Sequence, residues 1–112
     1  MNTAAGPWAL GQECNPFGER DDKMITITFP PVEAPTTVAS TAGLVTPLPP
    51  SLWPAAPVRF AVEVEDNSAI VFGTLTIDGT GGVVIGVGAG LGPFQTSGQS
   101  GWPGITVSYT HG

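Results

Sequence analysis

Charge is what this chain has least of. Charged residues make up 11% of its 112 positions, against roughly 25% in ordinary soluble domains. From Gly79 to Gly112 there is no Asp, Glu, Lys or Arg, and His111 is the only histidine of the whole chain. That tract cannot bring general acid–base chemistry to a substrate, because it holds almost no group to give or take a proton. Only three basic residues stand against nine acidic ones. Phosphate binding needs Lys and Arg, so nucleic acid is excluded as a direct partner, and anionic membrane surfaces are disfavoured on the same ground. Cysteine is nearly absent too. Cys14 stands alone, so no intramolecular disulfide can form. It reads as a small buried side chain, with an intermolecular bridge as the alternative. No histidine pair and no Cys-x-x-Cys offers transition-metal ligands, and no cofactor is expected. No apolar run approaches the roughly 20 residues of a spanning helix. The opening MNTAAGPWALGQEC has neither the basic start nor the hydrophobic run of a signal peptide.

What is present is apolar and β-branched. Hydrophobic residues are 41% of the chain, enough for a core. A surface with so little charge points to burial against other subunits, which removes apolar area from water. Sixteen glycines and 12 prolines fill a quarter of the chain. Before Pro57 that composition suggests disorder unless a partner orders the segment. After Pro57 regular alternation argues for strands.

Residues 1–23 read as an extended anchor arm. Gly6, Pro7, Gly11, Pro16 and Gly18 interrupt any period, while Trp8, Leu10 and Phe17 are spaced apolar anchors. Separated aromatic side chains suit separate pockets on another protein. The alternative is that the arm folds back over its own body. Glu19 to Lys23 is a solvated turn. Met24 to Phe29 (MITITF) is a strand with Ile25 and Ile27 on one face, ended by Pro30-Pro31. Residues 24–57 thus comprise a short strand and a Pro-rich segment. That segment either wraps the domain or a neighbour, or links an anchor to a head. Leu48, Leu52 and Trp53 favour wrapping, and a proline-rich ligand role is the further alternative for its LPPSLWP stretch.

Residues 58–112 read as a β-sandwich head completed by 24–29. Val58 to Glu65 alternates, with Val58, Phe60, Val62 and Val64 on one face. Ala69 to Phe72 and Thr74 to Asp78 are strands around Gly73, a bulge or close-contact point. Asp78 to Gly82 is a hairpin signal. Val83 to Val87 returns, a glycine-rich loop runs from Gly88 to Gly104, and Ile105 to Thr110 is the last strand. The fold class is all-β.

Candidate chemistry is thin. Glu63, Glu65 and Asp66 form an acidic set, and paired carboxylates can hydrolyse glycosides at defined separations. A solvated outer face is the simpler reading. Asp66, Asn67 and Asp78 are oxygen ligands suited to Ca²⁺, but their spacing matches no specific loop. The Gly86 to Gly92 run lacks the helix that a dinucleotide loop must open. It reads as close strand or subunit approach.

The order GTLTIDGTGGVVIGVG, then TSGQSGWPGITVSYT, resembles small jelly-roll modules of tailed-bacteriophage structural proteins: capsid cement (decoration) proteins, head fibres and trimeric tail tips. The resemblance covers about the last half of the chain. It implies a jelly-roll-like sandwich, preceded here by the extended arm and Pro-rich segment, and a homotrimer with Val83, Ile85, Val87, Phe94 and Trp102 among its contacts. It further implies a non-enzymatic virion protein, made in the host cytoplasm, that decorates the outer capsid surface by binding the major capsid protein. The other function it implies is a receptor- or glycan-binding head.

Overall fold

Period-two alternation marks most of the long strands. The structure, a computed structural model, describes residues 2–112; Met1, the first residue of the expected arm, lies outside them. The strands are β1 (Thr3–Ala5), β2 (Gln12–Glu13), β3 (Phe17–Asp21), β4 (Met24–Phe29), β5 (Val32–Pro35), β6 (Ala42–Leu44), β7 (Val58–Asp66), β8 (Ala69–Ile77), β9 (Val83–Val87), β10 (Gln99–Trp102) and β11 (Ile105–Thr110). One 3₁₀ turn, Pro50–Leu52, interrupts the Pro-rich segment, and there is no α-helix among the described residues. The all-β class expected from the sequence is the observed one.

Eight strands form one antiparallel sheet in the order β2-β1-β6-β9-β8-β7-β10-β5, curled into a nearly closed barrel. A second sheet, β11-β4-β3, covers part of it. The β7–β8–β9 meander is its backbone, pairing Val58 with Ile77 through Asp66 with Ala69, and Gly73 with Val87 through Ile77 with Val83. Gly73 makes no bulge. It sits in continuous register between Val62 and Val87. A Cβ there would lie 2.6 Å from the Gly86 carbonyl oxygen and 2.8 Å from the Val64 methyls, so the glycine marks a close approach.

The small sheet shows the same logic. Ile25, Ile27 and Phe29 of β4 are fully buried, as are, nearly so, Ile105, Val107 and Tyr109 of β11. Thr26 and Thr28 face outward and pair their hydroxyls with Ser108 (3.1 Å) and Thr106 (3.0 Å). Burying such side chains contributes about 1.5–3 kcal/mol each. Together with Leu75, Ile77, Ile85 and Phe94 they form one core shared by both sheets.

Residues 3–21 are not an arm lying outside the body. β1 pairs with β6, and β3 pairs with β4. The Pro7 carbonyl accepts from Thr37 N–H (2.7 Å) and Val38 N–H (3.1 Å) just beyond β5, drawing the two ends of the large sheet together. Glycines and prolines break any helical period but leave short extended pieces free to add at sheet edges. The Pro-rich segment is bound in the same way. It supplies β5 and β6, and Leu48 packs in the core, its N–H bonded to the Gly81 carbonyl (2.9 Å). Trp53 Nε1–H donates to the Leu48 carbonyl at 2.7 Å.

Candidate binding surface

The residues expected to anchor or to make trimer contacts divide by burial. Trp8 is 6% exposed. Its Nε1–H donates to the Ser100 carbonyl (3.3 Å), and its ring stands edge-on to Trp102 at 6.0 Å between centroids. It is a core residue of its own chain, a correction to its reading as an anchor. Leu10, in the loop between β1 and β2, and Phe17, at the start of β3, stay exposed at 78% and 62%. The expected trimer contacts Val83, Ile85, Phe94 and Trp102 are all buried within the chain, and Val87 is half-buried against the same core. They offer almost no surface to a neighbour. On β9 the alternation turns Val84 outward instead. Trp102 is further held by its Nε1–H bond to the Pro30 carbonyl, 3.0 Å.

The acidic set also divides. Asp66 turns inward, and its carboxylate accepts the Gln95 N–H at 2.8 Å. Glu63 and Glu65 share the outer face of β7. Glu65 stands opposite Gly101 of β10, which stands opposite Glu33 of β5. Gly101 has φ +149°, and any Cβ there would strike the Val32 carbonyl. With no side chain between them, the carboxyl groups of Glu33 and Glu65 meet above the glycine. Their hydrogen bond, with smaller contributions from burial and like charge, raises Glu65 above its ordinary carboxylate value. Sequence reading paired Glu65 with Glu63 and missed Glu33, because a partner two strands away leaves no local signal. Asp66 and Asp78 lie near opposite ends of the β7–β8 hairpin, so the Ca²⁺ set is not brought together. No cluster of three or more metal-ligating side chains occurs among the described residues.

Four further titratable groups serve the fold. Cys14 is buried, and burial pushes its thiol up to about 11. Its Sγ lies 3.7 Å from the Pro30 carbonyl oxygen. Burial raises Tyr109 to about 12, and its hydroxyl donates to the Leu52 carbonyl at 2.8 Å. His111 Nδ1 is 3.0 Å from the Trp53 carbonyl oxygen. Asp78 closes its turn by accepting from Gly82 N–H, Thr80 N–H and the Thr80 hydroxyl, each at 2.9 Å, and these bonds hold it below its ordinary value. No buried side-chain polar atom lacks a partner among the described residues.

An open groove of about 1070 Å³ lies between the β7–β8 hairpin and β11. Phe60 to Glu63 and Ile70 to Phe72 form one wall, and Pro103 to Ser108 the other. A smaller hollow of about 380 Å³ adjoins it through Ile70 and Pro103 and holds Glu33 and Glu65. Ile70 and Phe72 are both more than half exposed beside it. Such a surface can bind an apolar or extended partner through side-chain packing. No protein-family model matches the chain, and no curated protein matches it in sequence.

Proposed function

We propose that this chain is a virion structural protein, a capsid cement protein that binds the outer surface of a phage head as a homotrimer and stabilises the shell. Its partner is the major capsid protein. The protein is made in the host cytoplasm, and its task includes no catalysis and no cofactor. The observation that carries the reading is the set of large exposed apolar side chains, Leu10, Phe17, Ile70 and Phe72, on a body whose own core is complete. Such side chains lose water only when another protein covers them. The barrel with its three-stranded cover takes the place of the jelly-roll-like sandwich in this proposal. Attachment falls to Leu10 and Phe17, since Trp8 is committed to the core. Trimer contacts fall to outward residues such as Val84. Several weak contacts per trimer gain strength by being joined.

The test is co-sedimentation of the full chain with emptied phage heads, read beside light scattering of the free protein. Saturable binding and a trimer mass support the proposal. Replacing Leu10 and Phe17 by Ala should weaken binding without unfolding the chain. Binding to host cells or glycans in place of heads would favour the receptor-binding alternative.

A further inference from the structure

The groove between β7 and β11 is more than an apolar hollow, because both its walls are unpaired strand edges. One residue past β11, the His111 N–H bonds to the carbonyl of Lys23, the residue before β4, and continues their ladder. Antiparallel ladders alternate, so the odd-numbered residues of β11 face β4 and the even-numbered ones face away. The Ala55 N–H bonds to the Thr110 carbonyl on that far side, at 2.9 Å. There the chain's own segment already lies along the β11 edge, with Pro54 bridged to His111. It leaves the edge before Ser108 and Thr106. Their N–H and C=O groups point into the groove and meet no backbone partner among the described residues.

The opposite wall follows from the same argument. The Gly88 N–H bonds to the Phe72 carbonyl, so Phe72 turns its backbone toward β9. Glu63, opposite Phe72, and Ala61, opposite Thr74, therefore turn theirs away from β8. β10 pairs with β7 only at Glu65 and then departs through Pro103 and Gly104 to become β11. Ala61 and Glu63 are left facing the groove. Inward lie Phe60, Val62 and Val107; outward lie the carboxylates of Glu63 and Glu65, with Glu33 beyond. Rows of unsatisfied backbone groups with apolar side chains beneath are what strand addition uses.

We propose that the slot between β7 and β11 takes an extended strand from a partner protein, apolar in the side chains turned inward and lysine or arginine in those turned out toward Glu63 and Glu65. The backbone edges supply the affinity and the two faces supply the selection. This inference does not rest on the capsid proposal, since a chain that ignores phage heads would still bind such a strand.

The test uses the full chain and a short end-blocked peptide alternating valine with lysine. Binding should be saturable, and amide exchange at Ala61, Glu63, Thr106 and Ser108 should slow by at least about tenfold at saturation. The valine–glutamate peptide should bind at least about tenfold more weakly at low salt. Ser108→Pro deletes one groove-facing N–H that the fold does not use, and proline is tolerated on such an edge. It should cost about tenfold in affinity, while Ser108→Ala, which keeps the N–H, should not. Should Ser108→Pro fail to fold, N-methylation of the peptide at its ladder positions makes the same cut from the other side. No protection of the four amides, or equal binding by the N-methylated peptide, overturns the proposal. So does protection of those amides without peptide in a chain that runs as a dimer, because a second copy then fills the slot.

Discussion

Trp8 and Leu10 lie two positions apart and have opposite fates. Trp8 fills the barrel end beside Trp102 and satisfies its N–H on Ser100, whereas Leu10 points to solvent from the next loop. Trp8→Ala is therefore expected to lower stability by about 3–5 kcal/mol, as for a large core truncation. Leu10→Ala should stay within about 0.5 kcal/mol, as at ordinary surface sites. Urea unfolding of the two variants checks the contrast. Glu65 gives a second residue-scale expectation. Its folded-state value is raised by Glu33, so its protonated form is the better tolerated one. Its unfavourable contribution grows as pH rises above its ordinary value of 4.5. Glu65→Gln should raise Tm at neutral pH, and the gain should vanish below that value. A variant whose Tm gain is the same at both pH values would show that the pair is not coupled.

At the scale of elements, the weak strands close the barrel. β1 and β2 are only three and two residues long, too short to be stable alone. They hold because Cys14 N–H bonds to the Asn2 carbonyl (3.1 Å), Val45 N–H to the Thr3 carbonyl (2.8 Å), and Pro7 reaches the end of β5. Ala4, Pro7, Trp8 and Cys14 are then buried beneath them. Deleting residues 1–15 should therefore unfold the barrel and not release an intact head. Near-UV circular dichroism and a cooperative melt provide the readout; a folded, cooperative remnant would return the segment to the status of an arm. β3 differs. All five of its residues are exposed; it pairs with β4 and touches the 3₁₀ turn beside Leu52, leaving its outer edge to solvent or a partner.

For the whole molecule, two buried groups set an alkaline limit. Cys14 and Tyr109 have ordinary values of 9.0 and 10.0, raised by burial to about 11 and about 12. Between these limits the unfolded chain has lost protons that the folded chain still holds, so stability falls as pH rises. The decline should begin near pH 9 and be complete near pH 12. Tyr109→Phe should blunt its upper half while losing the bond to the Leu52 carbonyl. Thermal melts across that range, followed beside tyrosinate absorbance, test the sign.

Alternation along the chain is enough to locate four strands: MITITF, Val58 to Glu65, Val83 to Val87 and Ile105 to Thr110 match β4, most of β7, β9 and β11. Period two is written along the chain, so which face of each strand is apolar was legible without a partner in view. Tertiary structure decided everything that depends on a neighbour. Ala69 to Asp78 reads as two strands about Gly73, yet β8 is one strand, because β7 and β9 pair on both sides of the glycine. β10 was hidden in a glycine-rich loop, since Gln99 to Trp102 becomes a strand only against β5 and β7. Val83, Ile85, Phe94 and Trp102 carry the same apolar signal whether they meet another subunit or their own core; the curl of the barrel gave them to the core. The pairing of Glu33 with Glu65 and the two open edges of the groove arise the same way, from long-range register that no local pattern records.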